Sequence, residues 1–487
     1  MASQSQQLHI ILIPFLAQSH ILPILDFAKL LSQRDLLITI LTTPLNSISI
    51  QSMIDHATIS THAKIILITV PFPSIQVGLP EGCENMDTLP SPDMAFNLFA
   101  GCDMLQEPVL KMLSEFEVRP SAIVSSNALA WTGQVACSLG VPRYAFQTIS
   151  CFSMLVSHNV GRMNVGESVV SDTEAFEVRD LPDKIVITKL QMPKTGLQRG
   201  ADVKSIVQKM KEAEGFTRGM VVNSFEEMEP RYVEGFKNMG RRIWCIGPVS
   251  LCNQDSVDKL ERGGRRGAID ENVCLKWLDS MARRSVIYAC FGSIGRIPSA
   301  QIIETGLGLE ASECPFIWII RKKDVSEQVE KWLDDEKFEG RVRGRGLIIR
   351  GWAPQVAILS HPSVGGFITH CGWNSTLEAI CAGVPMITWP MFAEQFYNEK
   401  LVVNVLKIGV RVGVEIGMKS ELEDENKVFV TRVQVTEAIE HLMDDPERIT
   451  RAKELSKLAT KATSDGGSSF LNITALIQDI MEQTISK

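Results

Sequence analysis

The chain has 487 residues, more than one hydrophobic core serves, so two domains are expected. Its 45% hydrophobic and 22% charged residues are those of an ordinary globular protein, and a net charge of −8 argues against a basic nucleic-acid-binding face. No apolar stretch reaches the roughly 18 residues needed to span a bilayer. The N-terminus MASQSQQLHIILIPF has neither a basic n-region nor a small-residue cleavage site, and the eleven cysteines lack paired spacing. A cytoplasmic chain with reduced thiols and no zinc site is the expectation.

In chain order, His9 to Phe15 reads as a buried strand, His20 to Ser32 as a helix and Leu36 to Thr42 as a second strand. His20 stands between strand and helix, where it reads equally as a structural cap or as an imidazole that the positive helix end keeps neutral and able to accept a proton. Pro23 is expected in the first turn, whose N–H groups need no intrahelical partner. Ile65 to Val70 and Ala122 to Ser125 continue the strand series, with Met94 to Phe116 helical nearby. Gly247-Pro248-Val249-Ser250 and the Gly- and charge-rich run Asp255 to Gly267, which holds Arg262-Gly263-Gly264-Arg265-Arg266-Gly267, read as a solvated linker. The style then repeats: Ser285 to Phe291 a strand, Ser299 to Ala311 a helix, Pro315 to Ile320 and Gly346 to Arg350 strands. Lys419 to Lys427 reads as an exposed acidic loop, and Ser468 to Ile485 has helical apolar spacing. Alternation of this kind predicts an α/β protein with parallel sheets covered on both faces. Neither half contains G-x-G-x-x-G, which argues against a dinucleotide oxidoreductase.

The 44 residues from Trp352 to Gln395 carry the most chemistry. Trp352 offers a flat ring and Gln355 an amide. Val364 to Thr369 is a short buried strand, and the turn from His370 to Ser375 leads into helix-like Thr376 to Ile380. Asn374 and Ser375 are of the types expected at a helix N-cap. A tight turn into a helix start presents backbone N–H groups and a positive dipole end, a ready site for pyrophosphate. Glu378, four residues after Asn374, falls on the same face one turn deeper, where a carboxylate suits two ribose hydroxyls.

From its opening Trp to its closing Gln, this stretch closely resembles the signature of the plant secondary-product glycosyltransferases, family 1 enzymes that depend on UDP-sugars. The resemblance implies the GT-B fold, two Rossmann-like domains with parallel sheets facing across a cleft. The expected partition is residues 1–249 for the acceptor and catalytic base, 250–268 as linker, 269–455 for the UDP-sugar, and 456–487 as helices returning to the N-terminal domain. It implies that Trp352 stacks on uracil, with Ala353 and Gln355 at its edge, and that Glu378 holds the ribose. His370, Asn374, Ser375 and Ser293 serve the diphosphate; Trp373, Glu394 and Gln395 line the sugar, with Gln395 favouring glucose. The stretch HIILIPFLAQSHILPILDFAKLL resembles the family's N-terminal segment, where the matching His20 is the general base.

The implied reaction is a single inverting displacement on UDP-glucose, a co-substrate and not a cofactor. No Asp-x-Asp is present, so a metal-independent enzyme is expected, and its expected state is a monomer. The pattern breaks at Ser126, which stands where the family usually has the Asp that orients the histidine; Ser19 and Gln147 depart as well, and Ser126 and Gln147 are expected to line the acceptor pocket. Loss of that carboxylate weakens His20 as a base. Three consequences are compatible with it. The acceptor is acidic enough to need little help, as a flavonoid-like phenol is; another group orients His20; or the chain only binds UDP-sugar. Segments Gly78 to Met94 and Gly215 to Pro230 resemble a branch that acts on flavonoids and triterpenoids, so the expected acceptor is a small lipophilic metabolite: a phenol giving an O- or C-glucoside, or alternatively a terpenoid.

Overall fold

The computed structural model describes residues 7–61, 64–163, 165, 169–193, 201–262, 271–417 and 426–485. Residues 263–267 of the expected linker and 419–425 of the expected acidic loop lie outside the described residues. The chain forms two compact units: residues 1–151, 195–254 and 461–487 make the first, and residues 152–194 and 255–460 the second.

The first unit is built on a parallel sheet of seven strands. Its members are β1 (His9–Ile13), β2 (Leu37–Thr42), β3 (Ile65–Thr69), β4 (Ala122–Ser126), β5 (Arg143–Gln147), β8 (Thr217–Val222) and β9 (Ile243–Cys245), in the order β3-β2-β1-β4-β5-β8-β9. β1 and β4 are buried along their whole length, which is why they read as largely apolar runs and not as alternation; β5 is equally buried but begins with Arg143 and ends with Gln147. Arg143 enters that core because its guanidinium is met by the hydroxyls of Ser125, Thr132 and Thr217 and the carbonyls of Ser126 and Leu129. The helical reading of Met94 to Phe116 resolves into two helices, Ala95–Met104 and Gln106–Ser114. Pro108 explains the break, since it has no N–H to give to the Met104 carbonyl.

The terminal helix Ser468–Ile485 packs on β9 and completes this unit's core with Ile473, Leu476 and Ile480. Asp479 ties it down by accepting from Tyr144 Oη at 2.7 Å and Arg218 Nη2 at 3.1 Å, with Arg242 as a further partner.

The second unit has a parallel sheet of six strands: β10 (Val286–Cys290), β11 (Phe316–Ile320), β12 (Gly346–Arg350), β13 (Val364–Thr369), β14 (Met386–Thr388) and β15 (Gly409–Arg411), in the order β12-β11-β10-β13-β14-β15. A small antiparallel pair, β6 (Phe176–Glu177) and β7 (Val186–Ile187), lies in the segment 152–194. That segment is bonded into the second unit by Ser153 Oγ, which donates to Asn398 at 2.8 Å, and by Gln191, which donates to Glu415 at 3.1 Å.

Candidate functional site

In the first unit the site grows from the carboxyl end of β1. The helix that follows begins at Gln18, two residues before the expected start. His20 is therefore the third residue of the helix, and Pro23 lies beyond the first turn, where it removes the bond that residue 23 would give to the Ser19 carbonyl. Ala17, at the cap position, has no side-chain oxygen; the Gln18 N–H instead donates to Asp87 Oδ2 at 2.8 Å. His20 meets the edge of Phe15 with centroids 5.4 Å apart, and Phe15 stacks on Phe99 at 4.9 Å. Burial at this spot lowers the imidazole pKa to about 4, so the ring is neutral at ordinary pH.

β4 alternates its side chains, so successive serines face opposite ways. Ser125 Oγ lies 2.7 Å from Thr132 Oγ1. Ser126 Oγ accepts the Phe15 N–H at 2.8 Å and lies 3.2 Å from His20 Nδ1. Thr148 Oγ1, just past β5, is 3.4 Å from the same nitrogen. Nδ1 thus has hydroxyls where the sequence comparison expects a carboxylate. Ser126, first grouped with the acceptor pocket, lies directly against the histidine. Gln147 ends β5 and is buried, and its carbonyl accepts the Asn223 N–H at 3.1 Å.

In the second unit the carboxyl ends of β10, β12, β13 and β14 carry the expected donor residues. Trp352 and Ala353 follow β12, after Gly351, whose backbone at φ +127° is a conformation that glycine tolerates. Gln355 opens a short helix, Gln355–Leu359. His370 follows β13, and Cys371 takes a left-handed φ of 63° to turn the chain. The helix then starts at Trp373 with Gly372 as its cap. Asn374 and Ser375 are accordingly first-turn residues, not the N-cap expected from their types, and no cap side chain covers the helix start.

His370 is wedged between two backbones. A Cβ added at Gly292 would come within 2.5 Å of His370 Nε2, and one added at Gly372 would be closer still. Burial, reinforced by the nearby Arg321 cation, lowers the His370 pKa to about 3. Its Nδ1 is buried without a protein partner, as are Trp352 Nε1 and Thr376 Oγ1. These three atoms of one motif retain hydrogen-bonding capacity that the protein itself does not use. Ser293 lies two residues after Phe291, and its carbonyl accepts from Lys323.

Gln355 Nε2 donates to Ser375 Oγ at 3.0 Å and to Glu378 Oε2 at 2.8 Å, so three expected nucleotide residues form one network. Trp373 is buried in the first turn of its helix. Gln395 uses its carbonyl oxygen on its own loop, accepting the N–H groups of Met391 at 2.8 Å and Phe392 at 3.1 Å. Glu394, just before it, is pushed up in pKa by burial.

Sequence reasoning missed two residues here. Asn398 is buried and donates to the Cys371 carbonyl at 2.9 Å, pinning the turn that presents His370. Its signal was available: it sits one helical turn after Glu394 and Gln395. Arg262 was read as part of a solvated linker, yet it is buried and ion-paired to Glu378. Nothing local marks a contact between residues 116 positions apart.

Residues 6–251 match the glycosyltransferase N-terminal domain model, and residues 272–458 match the model for UDP-glucuronosyl and UDP-glucosyl transferases. The chain is 47% identical to UDP-glycosyltransferase 73C3 of Arabidopsis thaliana over 98% of its own length and 96% of the relative's. Among solved structures it is similar to UGT73P12 of Glycyrrhiza uralensis, with a TM-score of 0.90, 36% identity, and 99% of this chain and 97% of that one covered. UGT71G1 of Medicago truncatula superposes with a TM-score of 0.78 at 26% identity, covering 99% of this chain and 100% of that one. Two parallel-sheet domains of the GT-B class, matched along their whole length, make this chain a member of the plant UDP-glycosyltransferases, enzymes that transfer a sugar from a UDP-sugar to a small molecule.

Proposed function

We propose that the chain transfers glucose from UDP-glucose, with inversion, to a small lipophilic phenol. The observation that carries the acceptor class is the partnering of His20 Nδ1 by the hydroxyls of Ser126 and Thr148. In the proposed reaction His20 Nε2 takes the acceptor's proton, the acceptor oxygen attacks the anomeric carbon, and the bond from that carbon to the diphosphate oxygen breaks with its electron pair on UDP. A cationic imidazolium forms during the step. A hydroxyl stabilises that charge less than a carboxylate does, so an acceptor that gives up its proton easily is favoured. Phe99, half-buried and stacked on the buried Phe15, would offer a flat, apolar substrate an aromatic face.

On the donor side, Trp352 would stack on uracil with Ala353 and Gln355 at the base's edge, and Glu378 would take the ribose hydroxyls. The charge growing on the diphosphate would be met by the helix start at Trp373, the first-turn residues Asn374 and Ser375, Ser293, and the unpartnered Nδ1 of neutral His370. These groups take the part a metal plays elsewhere. With its oxygen held by Met391 and Phe392, Gln395 offers N–H donors to the sugar hydroxyls, and Glu394 and Trp373 complete that wall. The Medicago structure was solved with UDP-glucose, which supports glucose as the sugar. A monomer working in the cytosol fits this reading, and no helix among the described residues is long and apolar enough to cross a membrane.

One observation favours a second reading, a terpenoid alcohol as acceptor: the Glycyrrhiza structure was solved with glycyrrhetinic acid 3-O-monoglucuronide. Incubation with UDP-glucose and matched panels of flavonoids and triterpenoids, with mass spectrometry before and after acid hydrolysis, separates the two and tells O- from C-glucosides. Products from the triterpenoids alone would overturn the phenol assignment.

A further inference from the structure

Glu378 is already engaged by its own chain. Its Oε1 is ion-paired to Arg262, with both side chains only 7% exposed, while Oε2 accepts from Gln355. Arg262 is delivered by a built arm. The helix Ser256–Glu261 is capped by Asp255, which accepts the Asp258 N–H at 2.6 Å, and it packs against the helix Gln355–Leu359. Arg262 closes that arm, its own N–H donating to the Asp258 carbonyl at 3.1 Å. The guanidinium is therefore held where the carboxylate is, in surroundings that strengthen a charge-assisted bond.

We propose that Arg262 is an internal competitor for the donor's ribose, and so a residue that sets donor affinity. This rests on the reading of Glu378 as the ribose carboxylate. A ribose diol needs the same oxygens as acceptors, and it replaces a charged donor with neutral ones. The nucleotide gains Glu378 only in molecules whose guanidinium has left Oε1, and its apparent affinity falls by that fraction. The arm packs on the helix that begins at Gln355, so release of Arg262 also bears on the residue assigned to the uracil edge.

Calorimetric titration of the full chain with UDP, uridine and 2′,3′-dideoxyuridine tests this, using wild type, Arg262→Ala, Arg262→Gln and Glu378→Gln. Arg262→Ala is expected to tighten UDP and uridine alike, on the order of tenfold if about a tenth of wild-type molecules have the carboxylate open. Dideoxyuridine, which lacks the competing hydroxyls, is expected to bind both proteins equally. Arg262→Gln, which keeps a hydrogen-bond donor and loses the charge, should fall between wild type and alanine, and it serves if alanine fails to fold. In a Glu378→Gln background the effect of residue 262 should shrink toward zero. Unchanged or weaker uridine binding by both Arg262 variants overturns the proposal. Selective weakening of UDP overturns it too, by making Arg262 a phosphate ligand. Wild-type protein that binds neither UDP nor uridine overturns the donor-site reading itself, a separate result.

Discussion

The hydroxyl of Ser126 serves two neighbours at once, and a carboxylate in its place would serve them differently. Its oxygen accepts the Phe15 N–H and has a second lone pair for His20. If Nδ1 carries the proton, Ser126 accepts it and Nε2 is left as a base. If Nδ1 is bare, the Ser126 proton is donated to it and Nε2 is protonated and useless as a base. A carboxylate accepts only, so it enforces the first tautomer; serine permits both. Ser126→Asp should therefore raise kcat/KM on aliphatic alcohols by roughly ten- to a hundredfold while changing phenol turnover little, measured as initial rates on paired acceptors. Equal gains on both acceptor types would refute the tautomer argument. The pH dependence follows from the same residue. With a pKa near 4, His20 stays an unprotonated base well below the usual imidazole range, so the acid limb of kcat/KM should fall near pH 4 and not near 6.5. His20→Ala should lower kcat by about a hundredfold or more and leave the UDP dissociation constant unchanged.

At the scale of elements, the turn from β13 into the helix Trp373–Ala382 decides the geometry of the donor half. Cys371 is bent left-handed, its carbonyl is held by Asn398, and His370 is gripped by the backbones of Gly292 and Gly372. Gly292→Ala should weaken UDP binding at least tenfold by calorimetry. The new methyl collides with His370, and the φ of +72° adds about 1–2 kcal/mol for any residue with a Cβ. Asn398→Ala should cost about 1–3 kcal/mol in urea unfolding, because it strips a buried carbonyl and the Ser153 hydroxyl of a partner. The strand preceding this turn was legible in sequence, since an apolar run is a local signal, but the helix entry was placed too late: Asn374 and Ser375 have the side chains of caps, whereas the cap is Gly372, which has none. β14 and β15 were not legible, because three residues are too few to set a period. β5 and β8 hid for another reason. Arg143 and Arg218 break the apolar pattern of a buried strand, and their partners are distant in sequence: Ser125 and Thr217 for one, Asp479 for the other. The cap at Gln18 escaped likewise, because Asp87 comes from 69 residues away.

For the molecule as a whole, two half-buried neutral histidines tie stability to pH. His20 and His370 have folded pKa values near 4 and 3, below the 6.5 of an unfolded chain. Between those values the unfolded state binds more protons, so their contribution is complete above pH 6.5 and is lost as pH falls toward 4 and then 3. Glu394, Glu399 and Asp324, whose pKa values burial raises, act in the opposite sense. The test is therefore a difference: His20→Gln should flatten the loss of urea stability between pH 6.5 and 4 relative to wild type, and an unchanged slope would contradict the burial of a neutral ring. The donor half was readable from one contiguous motif, whereas the partners of His20 and Glu378 exist only once the chain has folded. The proposed function turns at this scale on the pairing of a complete donor signature with a proposed base that lacks its carboxylate. The rate of UDP release from UDP-glucose, measured with phenols and with aliphatic alcohols of matched size, tests that pairing. Phenols should react and the alcohols should be nearly inert; alcohols that react while every phenol is inert would contradict it.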